Sequence, residues 1–331
     1  EHVGTNILCK QAFLKPPFFK KDKLMSSASF FDRVSPPAFR YKNPDTDLII
    51  FGEEAAPVVA DQVHRLEKQR VVILTSASLS NSQLVRSVEF ALGERHAATY
   101  GTITVNAPRD RILAAAALVR EAHSDMLVAI GGGSVIDAAK LVQLCVWEGL
   151  TSNEAVAQYD PARLASVVAA KSAIRTIAVP TTLSGAEFAT LGGSYNPASG
   201  RKEPFDHPLF IPKVIVEDAN ALAQTPAEMI LTTGARMVDH CVERFCSTAA
   251  QPCSDAQALG ALKLLLQHLP PVHNGLATTV DHGRLQLASW MSMDAVNAGV
   301  SVGASHAIGR VLGVVSGVSH GHTSAILLPA V

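Results

Sequence analysis

From Asp47 onward the chain alternates short apolar runs with longer stretches in which apolar residues recur every three or four positions. Leu48-Ile-Ile-Phe51, Arg70-Val-Val-Ile-Leu74, Thr99 to Val105, Met126 to Ile130 and Ile174 to Val179 have the length and composition of strands. Between them, Ala55 to Lys68, Asn81 to Leu92, Asp110 to His123 and the stretch after Ser134 carry the helical period. Strands separated by single helices predict a parallel sheet covered on both faces. The polar stretch Asn196 to His207 predicts a hairpin or loop. After Asp218 the texture becomes helical: Pro226 to Cys246, Ser254 to His268, His282 to Ala298 and Ser305 to Val315. Pro226 at a first helical position and Ser254 as an N-cap mark two of those starts. The expected division is therefore an irregular extension over residues 1–45, an α/β domain over 46–219 and an all-α domain over 220–331. The extension, with Pro16-Pro17 and Pro36-Pro37, reads equally as an arm wrapped on the domain or a partner subunit and as a disordered tail.

Composition narrows the function. A net charge of -1 offers no polyanion surface, so no nucleic-acid partner is expected. Hydrophobic residues make up 48% and aromatic residues 5%, which suits small side chains packing helices closely on a sheet. The five cysteines are odd in number and lack C-x-x-C spacing, so neither a disulfide framework nor a zinc knuckle is expected, and a reducing, cytoplasmic compartment is. No apolar run reaches the ~18 residues of a membrane span. The opening Glu-His-Val-Gly is no secretory signal, and without an initiating Met it predicts a trimmed start.

The chemistry concentrates in Met126-Leu-Val-Ala-Ile-Gly-Gly-Gly-Ser-Val-Ile-Asp-Ala-Ala-Lys140. A strand runs through Gly131, Gly132, Gly133 and Ser134 into a helix, which lets backbone N–H groups meet a phosphate at the positive end of the helix dipole. A tight turn without a ligand would give the same local pattern.

Further phrases occur in order: Pro180-Thr-Thr-Leu-Ser-Gly-Ala-Glu187, Gly234-Ala-Arg-Met-Val-Asp-His-Cys-Val-Glu243 and His320-Gly-His-Thr-Ser-Ala-Ile-Leu-Leu-Pro329. Together with the glycine run they resemble the iron-containing alcohol dehydrogenases, most closely the maleylacetate reductase branch, from about residue 45 to the end. The resemblance implies a dehydroquinate synthase-like fold, with the active site between a nucleotide-binding domain and a helical domain, and a homodimer. It implies NADPH or NADH held by Gly131, Gly132, Gly133, Ser134 and Asp137, with Thr181, Thr182 and Leu183 along the ribose and nicotinamide. NAD-preferring members often carry an acidic residue where this chain has Ser76, so NADPH is permitted and slightly favoured here. Relatives also continue past the His320 motif, so the helical domain is expected to be incomplete at Val331.

Metal-dependent members of the resembled family hold an ion with one Asp and three His. The histidine positions correspond to His240, His306 and His320, but the Asp position is Arg236, and a further family histidine falls at Arg310. A guanidinium removes an anionic donor and adds a fixed positive charge. No metal is therefore expected; one bound nonetheless would use His240, His306 and His320. Asp239 is one residue off the ligand position, roughly 100° round the helix, and is not expected to replace it.

The leading expectation is an NAD(P)H-dependent reductase of a small oxo-acid or an enol/ene carbonyl, working without iron. Arg236 and Arg310 would orient the anionic substrate, with His240, His306 and His320 as candidate proton donors. Lys202 and His207 would add substrate contacts, whereas Cys241 and Cys246 read as core residues. The rival is a non-redox lyase or cyclase using acid–base catalysis in the same cleft, and a silent homologue serving as an oligomeric partner is a third.

Overall fold

A computed structural model describes residues 45–159 and 174–331, apart from positions 298 and 319 and the side chains at 295, 297, 310, 314 and 320. The extension expected over residues 1–45 lies, but for Asp45, outside the described residues.

Strands β1 (Leu48–Phe51), β2 (Val71–Ser76), β3 (His96–Ile103), β4 (Met126–Gly131), β5 (Arg175–Pro180) and β8 (Val214–Glu217) form one parallel sheet in the order β1-β8-β5-β4-β2-β3. β6 (Leu191–Asn196) and β7 (Arg201–Asp206) form the antiparallel hairpin expected near this stretch, begun five residues early. The helices of this part are α1 (Ala55–Arg65), α2 (Gln83–Leu92), α3 (Arg109–Glu121), α4 (Gly133–Trp147) and α5 (Asn153–Ala157). The expected strands do not include β8, Val-Ile-Val-Glu, which pairs with β1 and β5.

Strand alternation builds two cores at once. Val72, Leu74, Leu127 and Ala129 pack with α3 and α4, while Val71, Ile73, Met126, Val128 and Ile130 pack with α1 and α2. Both faces are covered, which is why the central strands are apolar throughout.

Beyond α6 (Ala219–Ala223) come α7 (Ala227–Phe245), α8 (Pro252–His273), α9 (Thr279–Asn297), α10 (Ala304–Ser316) and α11 (His320–Leu327). α8 runs through Pro270 and Pro271, past the expected end at His268. A third core joins α7, α8 and α9 to Leu183, Phe188 and Ile215, so the loop after β5 is rooted in the helical part. Gly321 meets the Thr232 carbonyl so closely that a Cβ there would sit 2.4 Å from its oxygen, which seats the first turn of α11 against α7. No helix among the described residues is long and apolar enough to cross a membrane.

Candidate active site

Three adjacent strands end together. Thr75 lies beside Ile130, and Gly131 beside Pro180, so Ser76, the glycine turn and Thr181 share the carboxyl edge of the sheet. Ligands of open α/β sheets bind at this edge. The turn is held from both sides: Thr75 Oγ1 donates to Ile130 O at 2.8 Å, and Thr181 N donates to Gly131 O at 3.1 Å. Gly132 precedes α4 without a side-chain cap, so the helix opens on bare N–H groups. A Cβ on Gly132 would stand 2.9 Å from Thr182 Cγ2, and one on Gly133 2.9 Å from Ser184 Oγ. The glycines therefore also admit the Thr182–Ser184 loop, a packing reason beside the phosphate one. Ser134 Oγ accepts a hydrogen bond from Asn106 N at 3.1 Å, and Ser76 Oγ lies 2.9 Å from Ser78 Oγ. Thr182 Oγ1 is buried with no hydrogen-bond partner among the described residues. An uncapped helix start and an orphaned hydroxyl beside it fit a dinucleotide's phosphates and ribose.

Asp137, one turn into α4, pairs with Lys202 on the hairpin at 2.8 Å. Lys140, a further turn on, is 1% exposed and donates to the carbonyls of Ala186, Ala189 and Leu191 at 2.6, 2.9 and 2.7 Å. Between those carbonyls sits Glu187, which burial pushes up to about 7. A buried carboxyl that binds its proton more tightly folded than unfolded makes stability fall as pH rises from about 4.5 to about 7. Glu187→Gln should flatten that fall: near-equal stability to wild type at pH 4.5, and roughly 3 kcal/mol more at pH 8. Urea melts at both pH values check this; parallel curves for the two proteins would refute it.

The loop after β5 also reaches the helical part. Thr225 Oγ1 donates to Thr181 O at 2.6 Å, and Leu183 N to Thr233 Oγ1 at 3.2 Å. Leu183 itself is fully buried in the helical core, so its contribution to a cofactor site is through the backbone it fixes.

On α7, Arg236, Asp239, His240 and Glu243 follow the i, i+3, i+4, i+7 spacing of one broad face. His306, in the first turn of α10, meets that face: its Nδ1 lies 2.6 Å from Glu243 Oε2 and 3.3 Å from Asp239 Oδ2, and its ring stacks on His240 with centroids 4.4 Å apart. Ser305 adds a backbone donor to Glu243 at 2.6 Å and a hydroxyl donor to Asp239 at 2.8 Å. Burial, with the half-buried Arg236 nearby, pushes the His306 imidazole down to about 4. Burial raises the Asp239 carboxyl against the hydroxyls of Ser324 and Ser305. Burial works on Glu243 too, but donors from Gly303, His306 and Ser305 outweigh it and leave the carboxyl below its ordinary value.

Asp239, not expected to serve as a metal ligand, lies beside the His306 ring. It is enclosed because α10 and α11 both lie against α7, so the buried arc of that helix is wider than one partner helix would make it. Glu243, a carboxylate one turn beyond His240 on the same amphipathic helix, joins it.

His207 does not reach this cleft. Its Nδ1 accepts a hydrogen bond from Leu209 N at 3.1 Å, and its ring packs at an angle beside the stacked Trp147 and Phe210. Trp147 ends α4, roughly 20 Å along the helix from the glycine turn. The expected substrate contact at His207 is thus corrected to an aromatic packing role. The side chains of Arg310 and His320 lie outside the described residues.

The described residues do not fit the iron of metal-dependent relatives. Position 236 offers a guanidinium, and the His240 and His306 rings are stacked only 20° from parallel. Imidazole lone pairs lie in the ring planes, so those of a stacked pair run side by side and do not converge on one ion. Asp239, Glu243 and His306 do bring ligand atoms within 4.8 Å of one another, yet the carboxylates already accept hydrogen bonds from Ser305 and His306.

Residues 46–219 match the family profile described as iron-containing alcohol dehydrogenase, and residues 230–331 match the C-terminal profile of the Fe-containing alcohol dehydrogenase family. Dehydrogenase FUM7 of Gibberella moniliformis is 31% identical over 82% of this chain and 68% of its own length. Maleylacetate reductase 2 of Cupriavidus pinatubonensis is 25% identical over 85% of this chain and 70% of its own. The structure of sulfoacetaldehyde reductase from Bifidobacterium kashiwanohense in complex with NAD+ superposes with a TM-score of 0.79 at 23% identity, covering 88% of this chain and 76% of that one, a likeness of fold. By its profile matches over both parts of the fold, the chain belongs to the iron-containing alcohol dehydrogenase family of oxidoreductases.

Proposed function

We propose that this protein is an NAD(P)H-dependent reductase of a small anionic oxo-acid or enol/ene carbonyl, working without the family's iron. The observation that carries this reading is Arg236, a half-buried cation on the α7 face that also holds His240, where the family's ion would have an anionic ligand. A guanidinium binds a carboxylate or an enolate oxygen through paired donors, and so stabilises the charge a Lewis acid would otherwise neutralise. Arg310 is proposed beside it, and Lys202, fixed by Asp137 at 2.8 Å, at the hairpin side of the cleft.

The N–H groups at Gly132 and Gly133 hold the pyrophosphate, with Ser134 and Thr182 hydroxyls beside them. Ser76 and Ser78 face the adenosine ribose. Bound nicotinamide supplies a hydride. The chain's own part is to orient the substrate carboxylate on Arg236, exclude water with the buried His240–His306 pair, and deliver a proton to the reduced oxygen from histidine. The reading extends to a homodimer, by family likeness, and to a reducing compartment, in which the free thiols of Cys145, Cys241, Cys246 and Cys253 are at home.

The test is a fluorescence titration of chelator-treated protein with NADPH and NADH, followed by turnover of an oxo-acid series. Saturable binding with NADPH the tighter, and turnover without added metal, are expected. Absence of binding by folded protein would end the reductase reading in favour of lyase or cyclase chemistry. Ser76→Asp should weaken NADPH about tenfold or more through repulsion of the 2′-phosphate, with little change for NADH. Equal weakening of both would remove Ser76 from cofactor choice.

A further inference from the structure

The carboxylate of Glu243 is wholly committed to the start of α10. Its Oε1 accepts Ser305 N at 2.6 Å, and its Oε2 accepts His306 Nδ1 at 2.6 Å. A Cβ on Gly303 would stand 3.0 Å from Oε1, so the absence of a side chain there lets the carboxylate approach. Asp239 Oδ2 lies on the same side of the ring, 3.3 Å from Nδ1. Two carboxylate oxygens around one ring nitrogen demand that this nitrogen carry the hydrogen. A neutral imidazole has a single N–H, so the lone pair is then on Nε2. That atom is buried and has no hydrogen-bond partner among the described residues, while stacking on His240 occupies a face of the ring and not its edge.

We infer that Glu243 is a positioning residue that locks His306 in the Nδ1–H form and so presents the Nε2 lone pair to the hydroxyl or enol O–H of the bound substrate. This rests on the reductase reading above. A buried acceptor without a donor is costly until a ligand O–H meets it, so the site favours substrates that bring one. It also divides the work of the two histidines. In the reduction the carbonyl carbon takes the hydride and its oxygen takes a proton. His306 holds no proton on Nε2, so His240 gives it from the imidazolium form, is left neutral, and regains a proton from solvent once the product has left. The arrangement follows the general logic of a buried carboxylate fixing an imidazole tautomer.

The test is nitrogen-15 NMR of histidine-labelled, chelator-treated protein, with His306→Ala to assign the signals. An unprotonated Nε2 and a protonated Nδ1 at His306 are expected. In Glu243→Gln, whose amide can donate as well as accept, the two forms should mix and kcat should fall about tenfold or more, while the dissociation constant for NADPH stays within about twofold. A protonated Nε2 in the wild type, or an unchanged tautomer in the variant, would overturn the assignment. If Glu243→Gln does not fold, the wild-type spectrum decides alone. A protein with the expected tautomer that reduces no oxo-acid would overturn the reductase reading and still support the role of Glu243.

Discussion

Replacing Arg236 with Ala should raise KM for a carboxylate-bearing substrate by roughly 30-fold or more, a loss of about 2 kcal/mol at least, while a neutral aldehyde or ketone is affected far less. Arg236 is half-buried, so the expected effect lies at the lower end of the ~2–5 kcal/mol associated with breaking a buried charge pair. The neutral substrate matters because Arg236 has a second duty. Its positive charge favours the ionised form of the buried Asp239 and disfavours protonation of His306. Removing it should therefore let the His306 pKa rise from about 4 and cost some stability, changes that touch every substrate alike. The ratio of kcat/KM between acid and neutral substrates isolates the binding role. An unchanged ratio would sink it, whatever happened to stability.

Lys140→Met should be the most damaging single change to the fold that leaves the cleft residues in place. The ammonium group ties the carbonyls of Ala186, Ala189 and Leu191 together beneath the turn that carries Glu187. Methionine fills much the same space but leaves one buried and two part-buried acceptors without their donor, at ~1–3 kcal/mol each where water does not replace it. A total near 4 kcal/mol implies a fall in Tm of roughly 10 °C for a chain of this size. The cost is partly offset because burial already pulls Lys140 down to about 8, against Asp137 and Glu187, which hold it up. Between that value and the ordinary 10.5 the unfolded chain binds the extra proton, so wild-type stability should rise with pH across this window. The variant should lack that slope. Thermal melts at pH 7 and chemical denaturation from pH 8 to 10 read both effects, and a variant as stable as wild type would show the three carbonyls find water instead.

Much of this was legible locally. The parallel α/β part follows from strands and helices whose periods show in a few consecutive residues, and the glycine turn from three small residues between them. The face of α7 that carries Arg236 and His240 follows from the 3.6-residue period alone. The α7–α10 site was only half legible. Glu243 and His306 stand 63 positions apart, and no periodicity relates them. The pairing of Asp239 with His306 and Ser305 is hidden in the same way, because a single helix has no way to say how many neighbours will close on it.

His207 shows the opposite failure. A histidine near a polar hairpin reads as a ligand, yet it is buried against the aromatic rings of Trp147 and Phe210. Lys140 reads as an ordinary helix lysine until β6 and the turn before it are placed against α4. By itself, then, the sequence determined most of the elements, their order, the glycine turn and the cation at position 236, because each depends on residues close in the chain. The tertiary structure alone decided which polar groups are buried together: the carboxylates that clamp His306, the carbonyls that clamp Lys140, and the rings that withdraw His207. Burial and pairing depend on the approach of distant elements, and the same side chain is a ligand, a clamp or packing according to what that approach leaves beside it.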